Sequence, residues 1–315
     1  MILLAVSGGI DSMYLANRAP ELSPGASFAV AHCNFSLRGA ESDGDEVFVR
    51  DWCSRNGILC HSVTFDTESY AREHGVSIEM AARDLRYGWF AALCREHGYE
   101  AVATAHNAND NAETLCLNLL RGTGTRGIRG MAAEGQVPGA PDIRLTRPLL
   151  GTTRAEIRAW MEANGRSWRE DSTNAGTDYK RNRLRNNVFP EFEKINPSFV
   201  RTLGEDMQRF CQVDDIAEDY FLSCGIEPGC RDIPVDTLLA LNHWEYVLWR
   251  LLEPYGFSQE TFGKLTALLR RYRQEPRGTV TLSGKSFEAP AYMLKASRRT
   301  LSVVGRLQSG SEEER

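Results

Sequence analysis

The sequence has no C-x-x-C pair. Its eight cysteines, from Cys33 to Cys230, are scattered, so neither a zinc site nor a redox couple is signalled and most read as buried thiols. No apolar run approaches the ~20 residues of a membrane span, and the first residues enter a strand-like stretch without the charged start of a secretory leader. These absences point to a soluble, cytoplasmic protein with no membrane partner. A further lack is local: the glycine turn at Ser7–Ser12 contains no lysine. That excludes the G-x-x-x-x-G-K-[ST] loop of the common nucleotide hydrolases and leaves positive charge for any bound phosphate to come from elsewhere.

What is present begins at that turn. The apolar run Ile2–Val6 feeds Ser7-Gly8-Gly9-Ile10-Asp11-Ser12, and Met13–Ala16 suits a helix; the pattern is strand, phosphate loop, helix. Gly8 and Gly9 allow positive φ and close approach of a ligand, while unpaired N–H groups of a helix start face an anion. Ser7 and Ser12 add hydroxyls. Asp11 either holds a magnesium ion at the phosphates or caps the helix.

The chain continues as strand and helix in alternation. Strands are expected at 28–32, 59–65 and 101–105. Helices are expected from a Ser42/Asp45 capping box to Arg55, from Ser77 to about Glu96, and from an Asn109 or Asp110 cap to Arg121. This is an α/β pattern, a doubly wound parallel sheet whose ligands bind beyond the carboxyl ends of the strands. The run Gly122–Gly127 matches G-x-G-x-x-G, but it ends a helix and enters a glycine-rich stretch up to Asp142, so it reads as a mobile substrate loop and not a dinucleotide site. Further on, Thr153-x-x-Glu156 opens a helix ended by Asn164-Gly165. Helices starting at Asn196-Pro197, Asn242 and Ser258 and alternating residues from Thr279 to Val304 indicate a mainly helical second domain with a small antiparallel sheet. The expected limits are 1–195 for the first domain, 196–307 for the second and 308–315 for a disordered tail.

Polar residues gather where such a sheet would bind ligand. His32–Gly39 follows the second strand and His106–Thr114 the fourth, and three- and four-residue spacings put Asp110, Glu113 and Thr114 on one helix face. Carboxylates there position magnesium or a cationic substrate, or they cap a helix. Arg83, Arg86 and Tyr87 share another helix face; arginines beside a lysine-free loop would supply its missing charge. The net charge is −5, yet between Arg144 and Asn187 ten basic residues stand against five acidic ones, a net +5. That stretch suits a polyanion or forms a solvated face.

Taken together, Ser7–Ser12, His32–Gly39 with Glu41-Ser42-Asp43, Ala82–Tyr87, Thr104–Thr114, Leu119–Gly124, Arg147–Leu150 and Glu170–Asn174 resemble, in order, the blocks of the tRNA(Ile)-lysidine synthetase family of PP-loop ATP pyrophosphatases. The likeness is dense over residues 1–195. Departures are Phe35 and Asn107 where that family often has histidine and Asn111 where it often has glutamine. The resemblance implies a ligase that adenylates the wobble cytidine of an isoleucine tRNA carrying a CAU anticodon and then joins free lysine to C2, with ATP as co-substrate and Mg²⁺. It implies ATP binding by Ser7, Gly8, Gly9, Ile10, Asp11, Ser12 and Arg83, and chemistry at Asn34, His106, Asp110 and Glu113. Contact with tRNA is implied for Arg121, Lys180, Arg181, Arg183 and Arg185. A homodimer is one open oligomeric state. The rival readings are another PP-loop ATP pyrophosphatase acting on RNA and a noncatalytic ATP sensor.

Overall fold

In the computed structural model the first apolar run lies at the middle of a six-stranded sheet. The residues described are 1–170, 180–276 and 278–306; the tail after 306 and residues 171–174 of the Glu170 block lie outside them. The strands are β1 (Ile2–Ala5), β2 (Phe28–Asn34), β3 (Leu59–Thr64), β4 (Ala101–Ala103), β5 (Glu134–Val137) and β6 (Ala140–Thr146), in the order β3-β2-β1-β4-β6-β5. Neighbours run parallel except β5, which pairs antiparallel with β6. Leu4 stands opposite Val30 on one side and Ala103 on the other.

Successive strand residues point to opposite faces, and here both faces are covered. Leu4, Val6 and Val30 pack against Met13 and Leu15 of α1 (Ile10–Leu22), Val49 of α2 (Ala40–Asn56) and, further along the chain, Ile157 and Met161. Leu3, Ala29, Ala31, Val102 and Leu145 pack against Tyr87, Phe90 and Leu93 on the other face. Burial on both sides explains why the strands read as unbroken apolar runs and not as alternation. Each large apolar side chain so buried contributes roughly 1.5–3 kcal/mol.

The remaining helices of this part are α3 (Thr67–His74), α4 (Ile78–His97), α5 (Ala108–Arg121), α6 (Thr125–Ile128), α7 (Arg154–Ala163), α8 (Lys180–Arg183), α9 (Phe189–Ile195) and α10 (Phe199–Ser223). A π-helical stretch, Leu184–Val188, joins α8 to α9. α7 starts on the expected Thr153/Glu156 capping box, and Ser77 caps α4 through the Met80 N–H.

Other expectations are corrected. α2 begins at Ala40, and Ser42 lies inside its first turn, where its Oγ accepts from the Arg38 N–H at 3.2 Å. The cap of α5 is Asn107, ahead of Asn109 and Asp110, because Asn107 and Asp110 bond reciprocally. The stretch from Gly122 to Asp142 is not an open loop. It forms α6 and the β5–β6 edge hairpin, in which Gly139 takes φ +77°; the glycines serve the turn. α3, unforeseen, is capped by Asp66 through the Ser69 N–H at 3.0 Å.

The chain divides into two compact units, Met1–Gln212 and Val213–Arg315. Leu184, Phe189, Phe199 and Leu203 pack with Ala112 and Leu117 of α5, so the first unit extends past residue 195. The second unit holds β7 (Asp232–Pro234), α11 (Val235–Ala240), α12 (Trp244–Leu252), α13 (Gln259–Gln274), β8 (Lys285–Glu288), β9 (Tyr292–Ala296) and β10 (Thr300–Gly305). Its antiparallel sheet runs β7-β10-β9-β8. Ile233, Leu238, Leu248, Leu269, Leu294 and Leu301, all without exposed surface, form its own core. α12 starts at Trp244, not at Asn242.

Candidate active site

In the order β2-β1-β4 the chain leaves β1 for β2 on one side and reaches β4 on the other, so the loops after β1 and β4 meet at a switch of direction, where open α/β sheets bind ligands. The loop after β1 is closed from below by one hydroxyl. Ser12 Oγ accepts from the N–H groups of Ser7 (3.1 Å) and Gly8 (3.2 Å) and donates to the Gly9 carbonyl (2.9 Å). Gly9 N–H makes only a 3.4 Å contact with Ser7 Oγ. Gly8 has φ +96°, a conformation that a side chain opposes.

Above the loop is a cavity of about 290 Å³ lined by Ser7, Asp11, Phe35, Arg86, His106 and Asp110 among others. A second hollow of about 260 Å³ shares Ser7, Phe35 and Arg86 and reaches His32, Asn34 and Asp45.

The acidic face of α5 is held by guanidinium groups. Asp110 Oδ2 accepts from the Asn107 N–H at 3.1 Å, and Oδ1 lies 3.2 Å from Arg154 Nη2 and 3.5 Å from Arg185 Nη2. Glu113 is fully buried and accepts from Arg185 Nε at 2.9 Å and Nη2 at 3.2 Å. A two-pronged bond of this kind is what a buried carboxylate needs to remain charged. Burial works against the charge of Arg185, but the bonds and charge of Glu113, then Asp110 and Asp11, hold its pKa above the ordinary value.

Asp11 lies across from this group, with Arg154 Nε 3.9 Å from its Oδ2. Burial pushes its carboxyl up, Arg154 pulls it down and Asp110 pushes it up again, with a net rise. Its Oδ1 is buried with no hydrogen-bond partner. An orphaned carboxylate oxygen beside a second carboxylate fits a hard cation such as Mg²⁺, whose ligands are oxygens.

Burial lowers the His106 pKa from 6.5 to about 4; Asp110 opposes the shift, while Arg147, Arg181 and Arg86 add to it. Its Nδ1 is 2.9 Å from Thr104 Oγ1. The imidazole is therefore neutral at pH 7, a hydrogen-bonding group and not a proton carrier. Asn34 is also committed: Nδ2 donates to Asp43 (3.0 Å) and Glu46 (3.3 Å), and Oδ1 accepts from the Ser36 N–H (3.0 Å). It fixes the left-handed turn at Ser36, φ +57°, and so acts on the shape of the rim.

Two arginine assignments change. Arg83 is exposed, with its guanidinium 5.0 Å over the Tyr87 ring; Arg86, one turn later, lines the cavity and lies 5.1 Å over Phe35. Arg185 does not join a surface row. It sits in the wide π-helical turn after α8, which directs it inward to Glu113. Arg121, Lys180, Arg181 and Arg183 are exposed, and Arg181 Nη2 donates to Thr114 Oγ1 at 3.4 Å.

Sequence reading missed Arg154, 44 residues from its partner Asp110, and Arg169, which reaches Asp45 at 2.7 Å. No local signal marks either. The His32–Gly39 run was expected at the site but His32 itself was given no role; its Nε2 is buried without a partner while Nδ1 is 2.9 Å from the Val6 carbonyl. The signal there was a histidine inside an apolar strand.

A lysine-free glycine loop at the switch point of a parallel sheet, faced by carboxylates and arginines, defines a PP-loop domain, and the sequence model of the PP-loop domain matches residues 1–192. A tRNA(Ile)-lysidine synthase of Chlorobaculum tepidum is 45% identical over 268 residues, covering 82% of this chain and 78% of the relative. One of Porphyromonas gingivalis is 36% identical over 310 residues, 96% of this chain and 63% of the relative. The chain thus belongs to the tRNA(Ile)-lysidine synthase family of PP-loop proteins. It spans 58% to 63% of the length of the first four curated relatives it matches. Among solved structures, the U34-tRNA thiolase NcsA from Methanococcus maripaludis with its [4Fe-4S] cluster superposes with a TM-score of 0.54 at 16% identity, over 67% of this chain and 72% of that one; the likeness is one of fold.

Proposed function

We propose that this chain ligates free lysine to C2 of the wobble cytidine in an isoleucine tRNA with a CAU anticodon, consuming ATP and releasing AMP and pyrophosphate. The observation that carries the reading is the lining of one cavity by Ser7, Asp11 and Ser12 of the phosphate loop, Asp110 of α5 and Arg86, with Arg154 and Arg185 paired to Asp110. The relatives' name, tRNA(Ile)-lysidine synthase, supports an isoleucine tRNA as substrate and lysidine as product. In the first step the C2 oxygen attacks the α-phosphorus and the bond to pyrophosphate breaks. Gly9 N–H, the α1 N-terminus and the arginines are suited to meet the phosphate charge. Asp11, whose Oδ1 has no hydrogen-bond partner, would hold Mg²⁺, which would neutralise charge on the departing pyrophosphate.

In the second step the lysine side-chain amine attacks C2, the bond to AMP breaks, and a proton leaves the amine. Asp110, which lines the cavity, suits an ammonium group electrostatically and can take that proton. Glu113, expected to share this chemistry, is fully buried and bonded through both oxygens to Arg185, and serves to hold that arginine beside Asp110. His106, neutral, is suited to accept or donate a hydrogen bond to the base. The exposed Arg121, Lys180, Arg181 and Arg183 suit tRNA phosphates. No helix among the described residues is long and apolar enough to cross a membrane, which together with a tRNA substrate supports a cytoplasmic site of action.

The test is incubation of the purified chain with ATP, labelled lysine and the tRNA transcript. Label in the tRNA with one AMP per lysine supports the proposal; pyrophosphate release with the label still free would replace lysine by another nucleophile.

A further inference from the structure

The segment entering residue 171 is fastened to the phosphate loop at two points, and both pass through Arg169. Its backbone N–H donates to the Gly8 carbonyl at 2.9 Å. Its side chain also lies close to the loop: a Cβ at Gly8 would meet Val49 Cγ2 at 3.5 Å and Arg169 Cγ at 3.8 Å. The guanidinium then crosses α2 at Gly44, where a Cβ would come within 3.0 Å of Nη2 and 3.5 Å of Cζ, and Nε donates to Asp45 Oδ1 at 2.7 Å. The other oxygen of this buried carboxylate takes Arg38 Nη2 at 2.9 Å.

The Gly8 carbonyl and the Gly9 N–H belong to one planar peptide and point in opposite directions. A donor fixed on the carbonyl therefore aims the N–H. Ser7 and Gly8 spend their N–H groups on Ser12 Oγ, and Gly9 N–H has only its 3.4 Å contact; it is the loop donor left to a ligand ahead of the unpaired N–H groups that open α1. Since Gly8 sits at φ +96°, where glycine has wide freedom, the orientation of that peptide needs an external hold. We infer that Arg169 is a positioning residue for ATP capture: anchored to α2 by Asp45 and seated on Gly44, it holds the Gly8–Gly9 peptide so that the Gly9 N–H faces the phosphates. This rests on the reading of the loop as an ATP site.

The experiment measures ATP binding, KM for ATP, kcat and thermal midpoint for Arg169→Ala, Arg169→Lys, Gly44→Ala and Gly44→Ala combined with Arg169→Ala. Arg169→Ala is expected to raise Kd and KM for ATP about tenfold with kcat within about twofold, the pattern of lost uniform binding. Arg169→Lys, which keeps a cation for Asp45, recovers most of the affinity. Gly44→Ala, by displacing the guanidinium, weakens ATP binding in the parent chain and adds nothing in the Arg169→Ala background, because coupled residues do not add. Unchanged Kd in folded Arg169→Ala, a lowered thermal midpoint with unchanged KM, or an equal Gly44→Ala effect in both backgrounds overturns the proposal while leaving the ATP reading intact. Absence of ATP binding by the parent chain overturns both.

Discussion

At the scale of single residues the site is governed by which charges are buried and which are met. Asp110 serves two ends at once, accepting from the Asn107 N–H and pairing with Arg154 and Arg185. Asparagine accepts at a cap nearly as well as aspartate, so Asp110→Asn should leave the thermal midpoint within a few degrees while turnover falls about a hundredfold or more, the usual cost of a lost acid–base or electrostatic group. Wild-type turnover at saturating ATP and lysine would reduce Asp110 to the partner of Asn107 in the capping box. His106 gives a pH prediction. Its folded pKa, about 4, lies below the ordinary 6.5, so the neutral form is favoured in the fold. Its contribution is complete above pH 6.5 and is lost as pH falls towards 4, where the unfolded chain takes up the proton first. A tenfold change in proton affinity is worth about 1.4 kcal/mol, which places the loss on the order of 3–4 kcal/mol. Denaturant titrations at several pH values should show His106→Asn less pH-sensitive than the parent over that window; parallel curves would contradict the burial of a neutral imidazole.

Among elements, α5 does most to build the site. Its reciprocal Asn107/Asp110 cap starts the helix just past β4, and its three-residue spacing then delivers Glu113 to Arg185. The residue after Asp110, Asn111, is buried and fixes the chain after α6: its Oδ1 accepts from the Met131 N–H at 2.6 Å. Gly130 beside it has φ +72°, and a Cβ there would collide with Asn111 Oδ1 and Met207 Sδ. Strain and overlap together predict that Gly130→Ala destabilises the chain by roughly 2 kcal/mol or more, measurable by urea unfolding; a loss below about 0.5 kcal/mol would mean that the segment moves aside freely. The π-helical stretch Leu184–Val188 has a comparable role on the opposite side, since a regular helix would carry Arg185 on round the axis with its neighbours.

At the scale of the molecule, a net charge of −5 and a +5 stretch coexist, so any contact with RNA depends on where that positive charge is displayed. Arg181 and Arg183 are exposed and Arg185 is turned inward. Replacing Arg181 and Arg183 with glutamine should flatten the slope of log tRNA affinity against log salt by up to about two. Arg185→Gln should leave that slope unchanged and lower turnover about tenfold or more, because it leaves Glu113 buried without its partner. A slope in the Arg181/Arg183 double variant equal to that of the parent would remove α8 from the RNA surface. The second unit carries a core of its own, and Leu248→Ala there should cost about 2–5 kcal/mol in unfolding free energy.

The chain by itself determined what is local. Ile2–Val6 followed by Ser7–Ser12 specifies a buried strand, a glycine turn and a helix start, since apolar periodicity and glycine's freedom act over a few residues. The Thr153/Glu156 box, the Ser77 cap and the face shared by Asp110 and Glu113 were legible for the same reason. Tertiary structure decided which cations meet the loop. Spacing on α4 put Arg83 and Arg86 on one face with nothing to choose between them; the packing of Tyr87 and Phe90 under the sheet leaves Arg86 towards the cavity and Arg83 towards solvent. A run of arginines in sequence looked like one basic surface until a π-helical turn drew Arg185 to Glu113, 72 residues away. Arg154 and Arg169 became visible only through partners 44 and 124 residues distant. Charge pairing acts through space, and a linear pattern does not record which separate segments the sheet brings within 3 Å of each other.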